Sequence, residues 1–404
     1  MTAWNPQPTV VINGTAHTSL TLWNVSIGYG RTSIWEQARA SFANLAILNT
    51  TGTDHGFDKN QVVIVKVKNS AGADVTLFTG KITSVDNSIS SSGSAGTAAI
   101  QSITAVGPFA DMSRKIIGGS AWPKELDDVR MTRIFTDAGV AIDTVDTPGV
   151  YEFMATTPPV TDAYSLAATY ATQAFGYIYE TPGYEVGFAN ESHRFVDQRD
   201  NGYLTIPESY ILWGDVASQK TLADITNSVI VSYRAGSENA EDLTSQATYG
   251  IVAATVDTEL HNAADAQVQA DRYVTLRAYP RTSLSSFTVQ VDSSVVSDAN
   301  RDKFLAMAMG EPIQISNLPI PIKNTTYKGF VEGYSFQINR YQMSLTLSTS
   351  DFTYSVTPTR WQDVPAALIW SAVDPAVQWV TYDLGEEWQQ VRTMAGLNQT
   401  IPLM

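Results

Sequence analysis

Forty carboxylates, four histidines and no cysteine set the chemical repertoire of this 404-residue chain. The lack of cysteine excludes disulfides, thiolate metal sites and cysteine nucleophiles. His17, His55, His193 and His261 lie far apart, and no H-E-x-x-H or other His pair at metal-ligand spacing occurs. No G-x-S-x-G nucleophile elbow is present either. The stretch DQRDNG (197–202) has the alternation of a calcium loop, but Arg199 stands where an oxygen ligand belongs, and Asn201-Gly202 reads as a hairpin turn. Asp54-His55 with Asp58 resembles a metal cluster in composition, yet Gly56 and the short spacing fit a solvated turn. Paired carboxylates for glycoside hydrolysis need a defined separation in space, which spacing along the chain does not give. No catalytic, cofactor-binding or metal residues are expected, and the chain reads as a non-enzyme.

One further candidate is Gly28-Tyr29-Gly30-Arg31, set between two apolar runs. A phosphate-cradling loop would need a buried strand before it and a helix N-terminus directly after it. Leu22, Val25 and Ile27 supply a strand, but Thr32-Ser33-Ile34-Trp35 and the branched run Ala40–Leu48 carry no helical start signal. The glycines Gly28 and Gly30 are therefore expected to form a structural turn between strands.

The elements that must position any site follow from composition and period. A hydrophobic fraction of 44% with 16% charged residues is that of a folded protein with a sizeable core. No run reaches the ~18 apolar residues of a membrane-spanning helix, and Met1–Pro6 lacks the regions of a signal peptide. The net charge of −15, without any basic run, argues against gripping nucleic acid, though it suits a surface past which DNA slides.

Residues 1–115 read as strands: VVIVKVK (62–68), VTLFTGKITSV (75–85) and AAIQSITAV (98–106), punctuated by Gly and Ser. Residues 116–215 change character. PKELDDVRMTRIFTDAG (123–139) and TDAYSLAATYATQAFG (161–176) read as helices with start and stop signals. In the first, Leu126, Val129, Ile134 and Ala138 fall near one face. YIYETPGYEVGFA (177–189) reads as a hairpin turning at Pro182-Gly183, so an α+β insertion is expected. Residues 216–352 return to strands: SVIVSYRAG (228–236), SFTVQV (286–291), EPIQIS (311–316), FVEGYSFQI (330–338) and YQMSLTLS (341–348).

Setting LFTGKITSV under FVEGYSFQI places Gly80 on Gly333, with apolar residues in step and matching strands before and after. VSYRAG also echoes VSIGYG. These matches predict a duplication. The fold class is thus mainly β with an α+β insertion: two similar β-barrel domains at 1–115 and 216–352. Gly80 and Gly333 then serve as structural turn glycines of the repeat. Residues 353–404 form a distinct arm in which Trp370, Trp379 and Trp388 recur every nine residues, with Pro365 and Pro375 blocking one long helix. Such an arm suits docking on another surface or on its own chain.

The pattern WNVSIGYGRTSIWEQARASFANLAILN…GFDKNQVVIVKVK…LFTGKITSV resembles the start of phage tail hub proteins, or minor tail proteins, of long-tailed actinobacteriophages. The matching features are Gly30-Arg31, the strand end at Asn49, the Phe57-Asp58 turn and Phe78-x-Gly80. The second half and the Trp-containing tail resemble later parts of the same family; Lys59 replaces its usual proline. The resemblance implies tail-tube-like barrels and a homotrimer forming a pseudo-sixfold ring. It implies a virion protein at the tail tip or baseplate, assembled in the host cytoplasm. There it would adapt a sixfold tail tube or distal tail protein above to a threefold tip or central fibre below. Phage DNA would pass the lumen without specific binding, and no cofactor is implied. Two other classes remain: a receptor- or cell-wall-carbohydrate-binding tail protein, and a tail-associated cell-wall hydrolase.

Overall fold

The computed structural model describes residues 4–17, 21–49, 55–91, 98–212, 216, 218–220, 225–280, 282–284, 286–318 and 326–355. In chain order the first elements are strands β1 (Thr9–Ile12), β2 (Thr21–Gly30), β3 (Arg39–Asn49), β4 (Val62–Lys68), β5 (Asp74–Ser91) and β6 (Ala98–Val106). Period-two patterning drives them. In β4, Val63, Val65 and Val67 are buried while Val62, Ile64, Lys66 and Lys68 between and beside them are not, so one face meets the core and the other stays partly exposed.

Helices α1 (Asp127–Ala138) and α2 (Ala163–Gln173) follow, then the antiparallel hairpin β7 (Tyr177–Glu180) and β8 (Val186–Ala189). Both helices obey local stop and start chemistry. Gly139 ends α1 at φ 71°, and the Asp162 side chain accepts a hydrogen bond from Ser165 N to cap α2. The buried face of α1 differs from expectation. Met131, Ile134 and Phe135 are buried whereas Leu126 and Val129 are exposed, because Asp127 and Arg130 turn inward to polar partners. Helix α3 (His193–Asn201) contains most of DQRDNG. Asn201-Gly202 is thus a helix end, with Gly202 at φ 72°, and not a hairpin turn.

The later elements include β9 (Leu204–Pro207), β10 (Ser228–Tyr233), β11 (Gly236–Glu241), β12 (Ala253–Val256), α4 (Ala263–Arg277), β13 (Ser286–Gln290), α5 (Asp298–Leu305), β14 (Pro312–Ser316), β15 (Thr326–Ile338) and β16 (Met343–Asp351). Among the described residues twelve strands make one sheet in the order β9-β14-β15-β2-β3-β6-β5-β4-β1 and Thr15–Ala16, with β16 bridging β15 to β13. Two expectations change here. The N- and C-terminal strand sets are not separate: β2 and β15 pair antiparallel, Gly30 opposite Gly333, so one sheet and one apolar core run through both. Among the described residues the pairing is also an open path, with β9 and Thr15–Ala16 at its ends.

The two sets nevertheless share local order, β3-β6-β5-β4 in one and β13-β16-β15-β14 in the other. In each, one long strand hands over from one neighbour to the next at an equivalent residue. Lys81 of β5 pairs with both Val62 and Val106, and Phe330 of β15 pairs with both Pro312 and Ser350. A bulge follows two residues later, at Thr83 and at Glu332. This register matches Gly80 to Gly329, not to Gly333. A Cβ on Gly80 would meet the Phe78 ring and Val106 O at 2.6 Å; one on Gly329 would meet the Tyr327 ring and Ser350 O at 2.5 Å. Apolar matches on either side of the wrong glycine account for the slip of four residues.

A second core gathers α1, α2, β7, β8, β10 and α4. The strand VSYRAG therefore does not repeat VSIGYG. Part of β10, it pairs with β11 and β12 in a separate three-stranded sheet, and Val229 and Val231 pack with Ala266, Ala270 and Val274 of α4 in this second core. Residues 228–278 thus belong by packing with the α+β region, while β9, within 116–215, joins the large sheet through β14. Among the described residues no helix is long and apolar enough to cross a membrane.

Candidate functional site

The four glycines expected in turns all lie inside strands: Gly28 and Gly30 in β2, Gly80 in β5 and Gly333 in β15. At Gly30, Gly80 and Gly333 their role is close backbone approach, whereas Gly28 faces only the Phe42 ring. Gly30 has φ +82°, and a Cβ there would stand 2.4 Å from Glu332 O; one on Gly333 would stand 2.5 Å from Arg31 O. The two glycines let β2 and β15 touch at the bulge, and the bulge re-aims Glu332 into the interior.

Glu332 is fully buried, and its partners come from three elements. Arg31, just past β2, donates from Nε to Oε2 at 2.7 Å. Arg194 of α3 donates from Nη2 to the same oxygen at 2.8 Å. Ser350 of β16 donates from its hydroxyl to Oε1 at 2.5 Å. Arg31 also donates from Nη1 to Glu36 O, and Arg194 from Nη1 to Ser355 Oγ at 2.6 Å. The Tyr177 ring of β7 lies 4.9 Å from the Arg194 guanidinium and 5.4 Å from that of Arg31. Burial opposes ionisation of Glu332, but Arg194 and Arg31 outweigh it and hold the carboxyl down at about 2. The cluster ties the middle of the large sheet, where the N- and C-terminal strand sets meet, to α3 and to Tyr177 of the second core. Sequence reading singled out Arg31 but missed Glu332 and Arg194. The one legible signal was a carboxylate within FVEGY, a stretch otherwise suited to full burial.

Beside this junction opens a cavity of about 430 Å³. Its wall includes Trp35, Tyr273, Arg272, Arg277 and Ser355. The Arg277 guanidinium lies 3.6 Å from the Tyr273 ring centre and 4.1 Å from that of Trp35. Burial pulls its pKa down to about 10, so it remains charged at neutral pH. Arg272 pairs with Glu191, and its Nη2 donates to Ser355 O at 3.1 Å.

The histidines are not all apart. His17 and His55 rings lie 6.5 Å from each other, both against Phe57, and burial with His55 close by lowers the His17 pKa. His193 Nδ1 lies 2.8 Å from Asp146 Oδ2. Among the described residues no group of three or more His, Asp or Glu is arranged to hold a metal. Trp370, Trp379 and Trp388 lie outside the described residues.

No protein-family profile matches the sequence, and no curated protein matches it. Solved structures do. The fold superposes on a tail protein from Neisseria meningitidis MC58 with TM-score 0.62 at 12% identity, covering 87% of this chain and 98% of that one. It superposes on the prophage MuSo2 43 kDa tail protein from Shewanella oneidensis with TM-score 0.59 at 9% identity, covering 85% and 98%. Prophage tail protein gp18 from Listeria monocytogenes EGD-e follows with TM-score 0.51 at 9% identity, covering 85% and 95%. The chain has the fold of these tail proteins.

Proposed function

We propose that this chain is a structural component of a phage tail, the hub of the tail tip or baseplate. The observation that carries the reading is a shared fold with three tail proteins over 85–87% of this chain and 95–98% of theirs. Near-complete coverage on both sides argues that the whole architecture, not one common module, is held in common. The repeated order β3-β6-β5-β4 and β13-β16-β15-β14 supports two barrel-like units per chain, and thus a homotrimer with six such units around its axis. Such a ring adapts a sixfold tail tube to a threefold tip. The charge of −15 fits a lumen that DNA must cross without sticking. Residues 361–404, with Trp370, Trp379 and Trp388, serve as the arm toward a neighbour in the tip. The role is structural and not enzymatic.

The test is a reconstruction of the intact particle. Three copies at the junction between tail tube and tip are expected. Six copies around the axis, or a position on the capsid, would overturn the assignment. Purified protein incubated with host cell wall should release no soluble fragments.

A further inference from the structure

The buried cluster does not balance its own charge. Glu332 carries one negative charge against the two guanidinium groups of Arg31 and Arg194. Both arginines also border the cavity, together with Arg272 and Arg277, and the acids there are Glu191 and Asp257. With Glu332 included, four guanidinium groups meet three carboxylates, an excess of one positive charge in a chain whose net charge is −15. Glu191 pairs with Arg272, and Asp257 is exposed, where water and salt screen its charge. Buried charge without a counter-ion is costly, so an anion in the cavity would stabilise the whole junction.

Acceptors are short as well. Arg194 is buried, and its Nε finds no hydrogen-bond acceptor among the described residues. Among the same residues none of the ion pairs involves Arg277. Its guanidinium is held between the rings of Tyr273 and Trp35, and Trp35 is 43% exposed. Ile34, Phe175 and Leu276 add apolar surface to the wall. A volume of about 430 Å³ lies within the range of small-molecule sites, roughly 300–1,000 Å³, and far exceeds the ~30 Å³ share of one water.

We propose that this cavity binds a small organic anion in which a planar ring carries a single carboxylate. The carboxylate accepts from the Arg277 guanidinium, and the ring lies against Trp35 and the apolar wall. One carboxylate supplies the one negative charge that the site lacks. An inorganic oxyanion would supply charge but leave the apolar wall facing water. Trp35 follows β2 of the large sheet and Arg277 ends α4 of the second core, so the ligand braces one core against the other. The site does not depend on where the protein acts.

Titration calorimetry on the full chain separates the two halves of such a ligand. The probes are benzoate (ring and carboxylate), benzamide (ring without charge), acetate (carboxylate without ring) and inorganic phosphate. Benzoate should bind at one site per chain with a Kd at or below about 1 mM, and should raise the melting temperature as a ligand of the folded state does. The other three probes should each bind at least about tenfold more weakly. Arg277→Gln should weaken benzoate at least about tenfold. Trp35→Leu, at a position outside both cores, should weaken benzoate but not acetate. Arg199→Gln, an exposed pair with Asp200 outside the cavity, should change neither. Melting temperatures of the unliganded variants confirm that each is folded. No saturable benzoate binding at that level, equal affinity for any other probe, or unchanged benzoate affinity in folded Arg277→Gln or Trp35→Leu would each overturn the proposal.

Discussion

Arg31 and Glu332 lie 301 residues apart in sequence, yet Arg31 Nε stands 2.7 Å from Glu332 Oε2 with both side chains almost fully buried. Two facing glycines make the contact possible, and Arg194 completes it from α3. Removing one partner from such a buried cluster leaves charge without compensation. Glu332→Gln should therefore destabilise the fold by about 3–5 kcal/mol, read by urea unfolding. A loss below ~1 kcal/mol would mean that the cluster is solvated in solution.

The pH profile should carry two opposing signatures. Glu332 has its folded pKa depressed to about 2, so its contribution is present above the unfolded carboxyl range and is lost as pH falls toward 2. Glu180 and Asp127 are the reverse. Burial raises both to about 7, so the folded state holds protons that the unfolded state has released. Their contribution is complete below about pH 4 and declines as pH rises toward 7. Glu180 accepts hydrogen bonds from Ser41 N and Phe109 N, both at 2.5 Å, and these moderate the cost of its charge. Stability is therefore expected to peak near pH 4–5, and Glu180→Gln should flatten the fall between pH 5 and 7. A melting temperature that instead rises steadily from pH 5 to 7 would contradict the burial of these acids.

Four glycine-to-alanine variants should separate by what a Cβ would strike. At Gly30 the obstacle is Glu332 O at 2.4 Å with φ +82°, and at Gly333 it is Arg31 O at 2.5 Å. Backbone cannot yield cheaply, so both should lose about 2 kcal/mol or more. Gly80 meets Val106 O at 2.6 Å together with the buried Phe78 ring and should fall in the same range. Gly28 meets only the ring of Phe42, which is 39% exposed and free to turn, so Gly28→Ala should cost under ~1 kcal/mol. Equal losses at all four positions would show that the contact geometry is not what sets their cost.

How much of this was legible follows from the reach of each signal. Val63, Val65 and Val67 announce β4 through period two, and Asp162 and Gly139 announce helix ends, because these effects act within a few residues. The mispairing of Gly80 with Gly333 has the same root: side-chain pattern fixes which face is buried, whereas register is set by the partner strand. The hand-over at Lys81 and Phe330 exists only once the sheet is built. Likewise Val229 and Val231 read as a strand, but nothing local says which core they enter. Packing with Ala266, Ala270 and Val274 decides that. The Arg31–Glu332–Arg194 cluster was least legible, since three distant charged residues carry no period and their burial depends on a bulge.

Assembly gives the last expectation. Among the described residues the large sheet ends at β9, at Thr15–Ala16 and, on the branch through β16, at β13, and open edges invite pairing. In a homotrimer of the proposed kind these edges should be covered by adjacent copies, burying more than ~2,000 Å² per interface as permanent assemblies do. The lumen should be lined mainly by Asp, Glu, Ser, Thr and Asn, because Lys and Arg there would retain DNA by displacing its counterions. Deleting residues 361–404 should leave both cores intact, since each is built from residues before 355, but should reduce incorporation into tips. Hydrogen exchange on isolated protein and on assembled tips supplies the measurement. Protection of Leu204–Pro207 should rise on assembly and the sheet interior should stay unchanged. An edge that remains unprotected in the particle, or a lumen rich in Lys and Arg, would rule out the ring.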